Sequence, residues 1–251
     1  MALIGTQNES SLHRTLKFQY AGPGGLTEAE VGEFVADGVR EDGEFIEVQT
    51  GSFAPLRKKI KALAGNKSKI RIIHPIAINK IIEVYAHISP KRSTKTKKSS
   101  LRPQSSAPLR ETNLIHRRKS PKKGSLWSLF EALMHAPELA LIPGVTIEAV
   151  LCDVTEIRIN DGKGSWRRKG ISIKDRQLAA WHESVVFKKP KDFLRFIPYK
   201  KGEEFTVATL AETAAIKPDI ARMALYVLTK IGVVNRVGKQ GRAWVYGVVT
   251  H

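Results

Sequence analysis

Apolar positions mark the chain into elements. Between residues 8 and 20, Leu12 and Leu16 fall four apart, Asn8 or Ser10 can cap, and Ala21-Gly-Pro-Gly-Gly25 stops the run, which predicts a first helix. Residues 26–41 supply strand material, and 44–50 form a further alternating strand. Leu56, Ile60 and Leu63 then recur at helical spacing until Gly65, and two β-branched strands, 69–74 and 80–85, follow with Pro75 to Asn79 between them. From Ser89 to Gly124 the pattern dissolves into Ser, Pro, Lys and Arg. Leu126, Leu129, Phe130 and Leu133 restore an amphipathic helix, 145–160 reads as a long strand, Asp161 to Gly164 as a turn, and 165–173 as the return strand carrying Trp166, Arg167 and Arg168. Helices are expected over 174–183 and near Asp192. The last fifty residues read as a short helix, 206–213, a longer one, 218–231, and two strands, 233–237 and 243–249, joined by Gly238-Lys-Gln-Gly241.

This order predicts an α+β protein in four parts: a small α/β layer domain at 1–88, a flexible basic linker at 89–124, a mixed helix and β-hairpin region at 125–198, and a helix-turn-helix with a hairpin at 199–251. Charge sharpens that division. Residues 1–89 hold 11 Lys and Arg against 10 acids, whereas residues 90–124 hold 12 against one. A segment so basic and so poor in apolar residues suits either a solvated tether or an electrostatic arm for nucleic acid. A single cysteine, Cys152, excludes an intrachain disulfide and a cysteine-based zinc cluster. No apolar run approaches a membrane span and no leader pattern opens the chain, so a cytoplasmic protein without a membrane partner is expected.

Candidate chemistry lies in the hairpin from Ala36 to Gln49. A three-residue loop at Glu41-Asp42-Gly43 would pair 38 with 46 and 39 with 45, and so set Asp37 opposite Glu47 with Gln49 on the same side. A two-residue turn would put the two acids on opposite faces. Like charges held that close call for a cation between them, and oxygen ligands suit Mg²⁺ or Mn²⁺. Glu9 lies on the Leu12 and Leu16 side of the first helix, turned inward. Nothing points to a nucleotide, flavin or haem site.

Cations for nucleic acid are expected in three places: Arg222, Tyr226 and Lys230 off the apolar stripe of the last helix with Arg236, Lys239 and Arg242 on the terminal hairpin; Arg117, Arg118 and Lys119 in the linker; and Arg167 and Arg168 beside Trp166. Trp166 serves equally as a core residue or as a stacking platform for a base. A homodimer is left open.

With the elements placed, residues 1–88 resemble the PD-(D/E)XK, or restriction-endonuclease-like, nuclease superfamily, whose core runs α-β-β-β-α-β. Ala36-Asp37 takes the Pro-Asp place, Glu47-Val48-Gln49 takes the Glu-x-Lys place, and Glu9 matches the helix acid. The last fifty residues look like a winged helix-turn-helix. The chain as a whole also resembles uncharacterised prokaryotic proteins that join Ser11-Leu12-His13, a Glu47-Val-Gln-Thr-Gly-Ser-Phe53 run, Gly164-Ser-Trp-Arg-Arg168 and a winged helix. The superfamily resemblance implies a divalent-metal endonuclease acting on DNA, with Asp37 and Glu47 on the metal, Gln49 orienting the attacking water, and Lys58 or Lys61 of the following helix replacing the absent lysine. It also admits a nuclease-like DNA-binding or regulatory protein without activity.

Overall fold

The computed structural model describes residues 9–65, 68–87 and 113–249. A mixed sheet of seven strands organises the chain: β1 (Leu26–Val31), β2 (Phe34–Val39), β3 (Phe45–Val48), β4 (Ile70–Ala86), β6 (Val145–Asn160) and β7 (Ile171–Phe187) in that order, with β5 (Leu114–Lys119) also paired to β4. β3 and β6 run parallel to β4, while the outer pairings are antiparallel. Helix α1 (Ser11–Ala21) covers one face, burying Leu12, Leu16 and Tyr20 on Ile46, Val48, Ile73, Val150 and Val154. The other face receives α2 (Arg57–Ala64) and α3 (Leu129–Leu133), whose Ile60, Leu63, Phe130 and Leu133 pack on Ile70, Ile72, Ile147 and Phe187.

Polar contacts clamp α1 to its face. Ser10 caps the helix by accepting from the His13 amide, and the Tyr20 hydroxyl donates to Glu148 at 2.5 Å. Arg71 lies between Glu148, at 2.6 Å, and Glu44, at 3.0 and 3.1 Å, so the buried acids share one guanidinium. A bidentate arginine of this kind satisfies carboxylates that burial would otherwise penalise.

After β7 a second sheet forms, in the order β8 (Glu204–Thr206), β10 (Ala243–Val248), β9 (Val234–Gln240). Helices α4 (Val207–Thr213) and α5 (Pro218–Lys230) lie between β8 and β9 in sequence. Thr206 caps α4, and Pro218 opens α5, where its missing N–H is not needed. Ala221, Ala224, Leu225 and Leu228 of α5 join the same apolar core as α3 and the sheet. Among the described residues, no helix is long and apolar enough to cross a membrane.

Five expectations are corrected. The regions 1–88 and 125–198 share one sheet, because β4 and β6 pair along their whole length, from Ile70↔Val145 to Ala86↔Asn160. Part of the expected linker, 114–119, is strand β5; residues 88–112 lie outside the described residues. β4 is continuous through Pro75. The Ile73 and Ala77 carbonyls on either side accept from the Gln49 and Gly124 amides, so Pro75 faces the same edge just past the end of β3, where no ladder donor is required. Residues 174–183 are strand, not helix, and Trp166–Arg168 form a single helical turn at the tip of the β6–β7 hairpin, not part of its return strand.

Candidate active site

β2 and β3 pair through Gly38↔Ile46 and Val39↔Phe45, closed by an Arg40 amide to Glu44 carbonyl bond of 3.0 Å and by Gly43 at φ 80°. This is the register of the three-residue loop. Asp37 comes one residue beyond the last paired position, where the two strands part. Its Oδ2 accepts the Val48 amide at 2.7 Å, taking the place of a ladder carbonyl. Glu47 points to the α2 side, 2% exposed, and its Oε1 meets the Lys59 ammonium. The same ammonium donates to the Val35 carbonyl at 2.5 Å, so α2 is tied across the opening between β2 and β3.

From the opposite side come His13 and Lys17 of α1 and Glu9 just before its cap, at intervals of four. His13 Nε2 stands 3.1 Å from Asp37 Oδ2 and 3.5 Å from Glu9 Oε1; Lys17 Nζ stands 2.9 Å from Glu9 and 3.0 Å from Glu28. Glu9 therefore turns inward as expected, but it reaches Asp37 through an imidazole.

The two facing acids are driven apart electrostatically. Burial pushes Glu47 up, and the Asp37 carboxylate adds to it against the opposing pull of Lys59, which brings its pKa from 4.5 to about 7. Burial acts upward on Asp37 as well, but the His13 hydrogen bond and charge, the Val48 amide and Lys59 together hold it below the ordinary carboxylate range. Near neutral pH Asp37 is ionised while Glu47 is poised to exchange a proton, the division of roles seen wherever two carboxylates share a site.

Gln49 departs from its expected role. Its Nε2 donates to the Ser52 carbonyl at 2.6 Å, and its own carbonyl accepts from His74 Nδ1 at 2.6 Å. The amide is thus committed to the loop after β3 and not to water between the acids. Burial lowers the His74 pKa and keeps that ring neutral. Beside it opens a cleft of about 410 Å³ lined by Thr50, Ser52, His74, Lys80, Ser128 and Glu131. Lys58 and Lys61 are exposed, so Lys59 replaces both as the lysine of the site. Its position was readable: Lys59 lies three residues after Leu56 and four before Leu63, on the flank of the buried stripe. Likewise His13 and Lys17 follow Glu9 at intervals of four. Among the described residues, no three or more His, Cys, Asp and Glu side chains form a group that could hold a metal ion.

The expected cations are mostly on the surface. On α5, Tyr226 and Lys230 are exposed with the ammonium 5.8 Å from the ring centre, and Arg222 pairs with Asp219 at 2.6 Å. On the β9–β10 hairpin, Arg236 and Lys239 lie 4.6 and 4.5 Å from the Trp244 ring, and Arg242 sits exposed in the turn. On β5, Arg117 pairs with Glu83 at 3.3 Å while Arg118 and Lys119 are exposed. At the β6–β7 tip, Arg167 lies 5.5 Å over Trp166, and Arg168 Nε donates to the Ile171 carbonyl at 3.1 Å.

Residues 10–111 and 105–188 match the family described as "Domain of unknown function (DUF8091)". The matched stretch ends at the close of β7, so it takes in the strands of the seven-stranded sheet and stops short of the second one. A protein of Treponema pallidum (strain Nichols), named "Uncharacterized protein", is 26% identical over 243 residues, 97% of this chain and 86% of that one. No solved structure matches.

Proposed function

We propose a function for a chain that belongs to the family described as Domain of unknown function (DUF8091): metal-assisted hydrolysis of phosphodiester bonds in DNA, with the C-terminal unit placing the substrate. The observation that carries this reading is the pair Asp37 and Glu47, side by side where β2 and β3 separate, with Lys59 brought to them by the next helix. The run α1-β1-β2-β3-α2-β4 supports it, being the element order of a restriction-endonuclease-like core.

On this reading two carboxylates, with no third His, Cys, Asp or Glu grouped with them among the described residues, would offer the oxygen ligands of a divalent cation. Glu47 is buried beside a second carboxylate, and burial first and the Asp37 charge after it raise its proton affinity despite the Lys59 ammonium. A hard cation such as Mg²⁺ or Mn²⁺ relieves that repulsion as a proton does, and Asp37 and Glu47 are the side chains that would hold it. Once bound it would acidify a water and offset phosphate charge. The chain's own groups have separate tasks. His13 keeps Asp37 ionised, and Lys59 supplies the positive charge that Gln49 lacks, next to the carboxylate the phosphate must approach. Gln49, held by the Ser52 carbonyl, shapes the loop after β3.

The order β8-α4-α5-β9-β10, with sheet order β8-β10-β9, supports reading the C-terminal unit as a winged helix-turn-helix. On that reading Arg222, Tyr226 and Lys230 on α5 and Arg236, Lys239 and Arg242 on the hairpin face the DNA backbone. The commitment of Gln49 and the Lys59 ion pair at Glu47 favour a second reading, a DNA-binding protein without turnover.

Incubation of purified protein with labelled DNA and Mg²⁺ or Mn²⁺ tests the proposal. Cleavage that disappears in Asp37→Asn with Glu47→Gln is expected. Cleavage surviving that double change sinks the assignment of the site, and DNA binding without cleavage in either metal establishes the second reading.

A further inference from the structure

Three of the four exposed Phe, Tyr and Trp rings among the described residues, all but Phe18, keep unusual company. Trp166 is 83% exposed, Tyr226 44% and Trp244 40%, and each has a cation against its ring: Arg167 at 5.5 Å, Lys230 at 5.8 Å, and Arg236 and Lys239 at 4.6 and 4.5 Å. Among the described residues, none of these four cations forms an ion pair with an acid. A single exposed ring needs no explanation, but three, each beside an unneutralised cation on a chain of net charge +18, make a surface suited to a polyanion with aromatic faces.

Trp166 carries the argument furthest, because the backbone holds it out rigidly. The Gly164 amide donates to the Gly170 carbonyl at 2.8 Å, and a Cβ on Gly164 would fall 1.9 Å from the Ile171 carbonyl oxygen. The Asp161 carboxylate accepts from the Lys163 amide at 3.0 Å and the Ser172 hydroxyl at 2.8 Å, and Lys169 adopts the left-handed conformation at φ 51°. A loop stapled so thoroughly presents its indole with little ordering cost on binding. In duplex DNA base faces are hidden by stacking and only base edges line the grooves, so an exposed indole face finds its match in an unstacked base.

We infer that this chain binds nucleic acid through unpaired bases: Trp166 stacks on a base of a single-stranded segment while Arg167 contacts the adjoining phosphate, and Trp244 with Arg236 and Lys239 offers a second such platform. The inference rests on the nucleic-acid partner proposed above, but not on the carboxylate site. DNA and RNA single strands share the chemistry of a base face and a phosphate.

The test is fluorescence anisotropy of labelled oligo(dT), oligo(rU) and a duplex of equal length with the full chain in EDTA, where no metal-dependent cleavage occurs. At least one single strand is expected to bind roughly tenfold tighter than the duplex. Trp166→Ala should weaken that binding roughly tenfold, Trp166→Phe should restore most of it, and duplex affinity should stay unchanged in both. The tighter of oligo(dT) and oligo(rU) identifies the sugar. Duplex binding equal to or tighter than both single strands, single-strand affinity indifferent to Trp166→Ala, or no binding of either single strand would overturn the inference. A protein that binds oligo(dT) yet never cuts defeats the nuclease proposal alone, and one that cuts duplex while ignoring both single strands defeats only the inference.

Discussion

Around Asp37 and Glu47 every charge has a counter-charge in reach: Lys59 on Glu47, His13 on Asp37, Lys17 on Glu9 and Glu28, Arg71 on Glu44 and Glu148. On the hairpins and on α5 the arrangement is reversed, with Arg167, Lys230, Arg236 and Lys239 set against exposed rings and, among the described residues, in no ion pair with an acid. Buried charges must be neutralised within the chain because desolvation makes an unpaired one costly. Surface cations carry no such penalty, so their lack of partners is information about an external partner and not about folding. The first region should therefore respond to mutation through stability and proton binding, the second through salt-dependent binding.

The sharpest contrast comes from packing. Leu16 is fully buried between α1 and the sheet, on the helix that holds Glu9, His13 and Lys17 in place. Leu16→Ala should lower the unfolding free energy by about 3 kcal/mol in denaturant titration, with loss of any metal-dependent activity. Next in size is the pH dependence of Glu47. Its folded pKa of about 7 exceeds its ordinary 4.5, so the folded state binds the proton more tightly and this group's contribution is full at low pH. It should be lost progressively as pH rises from 4.5 to about 7, by about 3 kcal/mol, and level off above. Asp37 acts in the opposite sense, stabilising at higher pH and losing that contribution as pH falls through its depressed pKa. Comparing thermal stability of the wild type with Glu47→Gln across this window isolates Glu47, since the variant lacks only that titration.

Lys59→Ala should cost about 2 kcal/mol at pH 8, less than a permanently charged buried group would suffer, because Glu47 can take up a proton once its cation is gone. The loss should shrink at pH 5; a penalty that stays constant across pH would mean that Lys59 acts by packing alone. Smallest in stability is the hairpin pair. Arg236→Ala with Lys239→Ala should leave unfolding within about 0.5 kcal/mol of wild type. The same change should reduce the slope of log affinity for nucleic acid against log salt by about 2. A large stability loss there would erase the distinction between the two regions.

Sequence reasoning reached the hairpin register because turn chemistry is local: Gly43 at positive φ sets the loop, and the loop sets which residues face each other. It offered Ser10 as one of two caps for α1, and it gave the helix-helix-hairpin order of the C-terminus, for the same reason. It missed the union of 1–88 with 125–198, since nothing local announces that β4 and β6 pair over their full length across 88–112. It misread 174–183 because β7 bulges. The pairing steps from Leu151↔Glu183 to Cys152↔Trp181 and from Asp153↔Ala180 to Val154↔Leu178, leaving His182 and Ala179 unpaired. The bulge at Ala179 sets Leu178 and Trp181 three apart on the α1 face, whereas Val185, four further on, packs on the other face; in sequence the three still fall at helical spacing and imitate a helix. At the site, the acids were legible from pairing, and Lys59 from its spacing to Leu56 and Leu63, but choosing it over Lys58 and Lys61 needed the phase of α2, which follows directly on the helical turn Ala54–Leu56.

The account turns on whether Asp37 and Glu47 hold a divalent cation. Isothermal titration of Mn²⁺ into wild type, Asp37→Asn and Glu47→Gln at pH 6 and pH 8 addresses it directly. The predicted result is one site in the wild type, absent from both variants, with proton release at pH 6, where the ion must displace the Glu47 proton, and little at pH 8. No heat in the wild type, or heat unchanged in both variants, would contradict it.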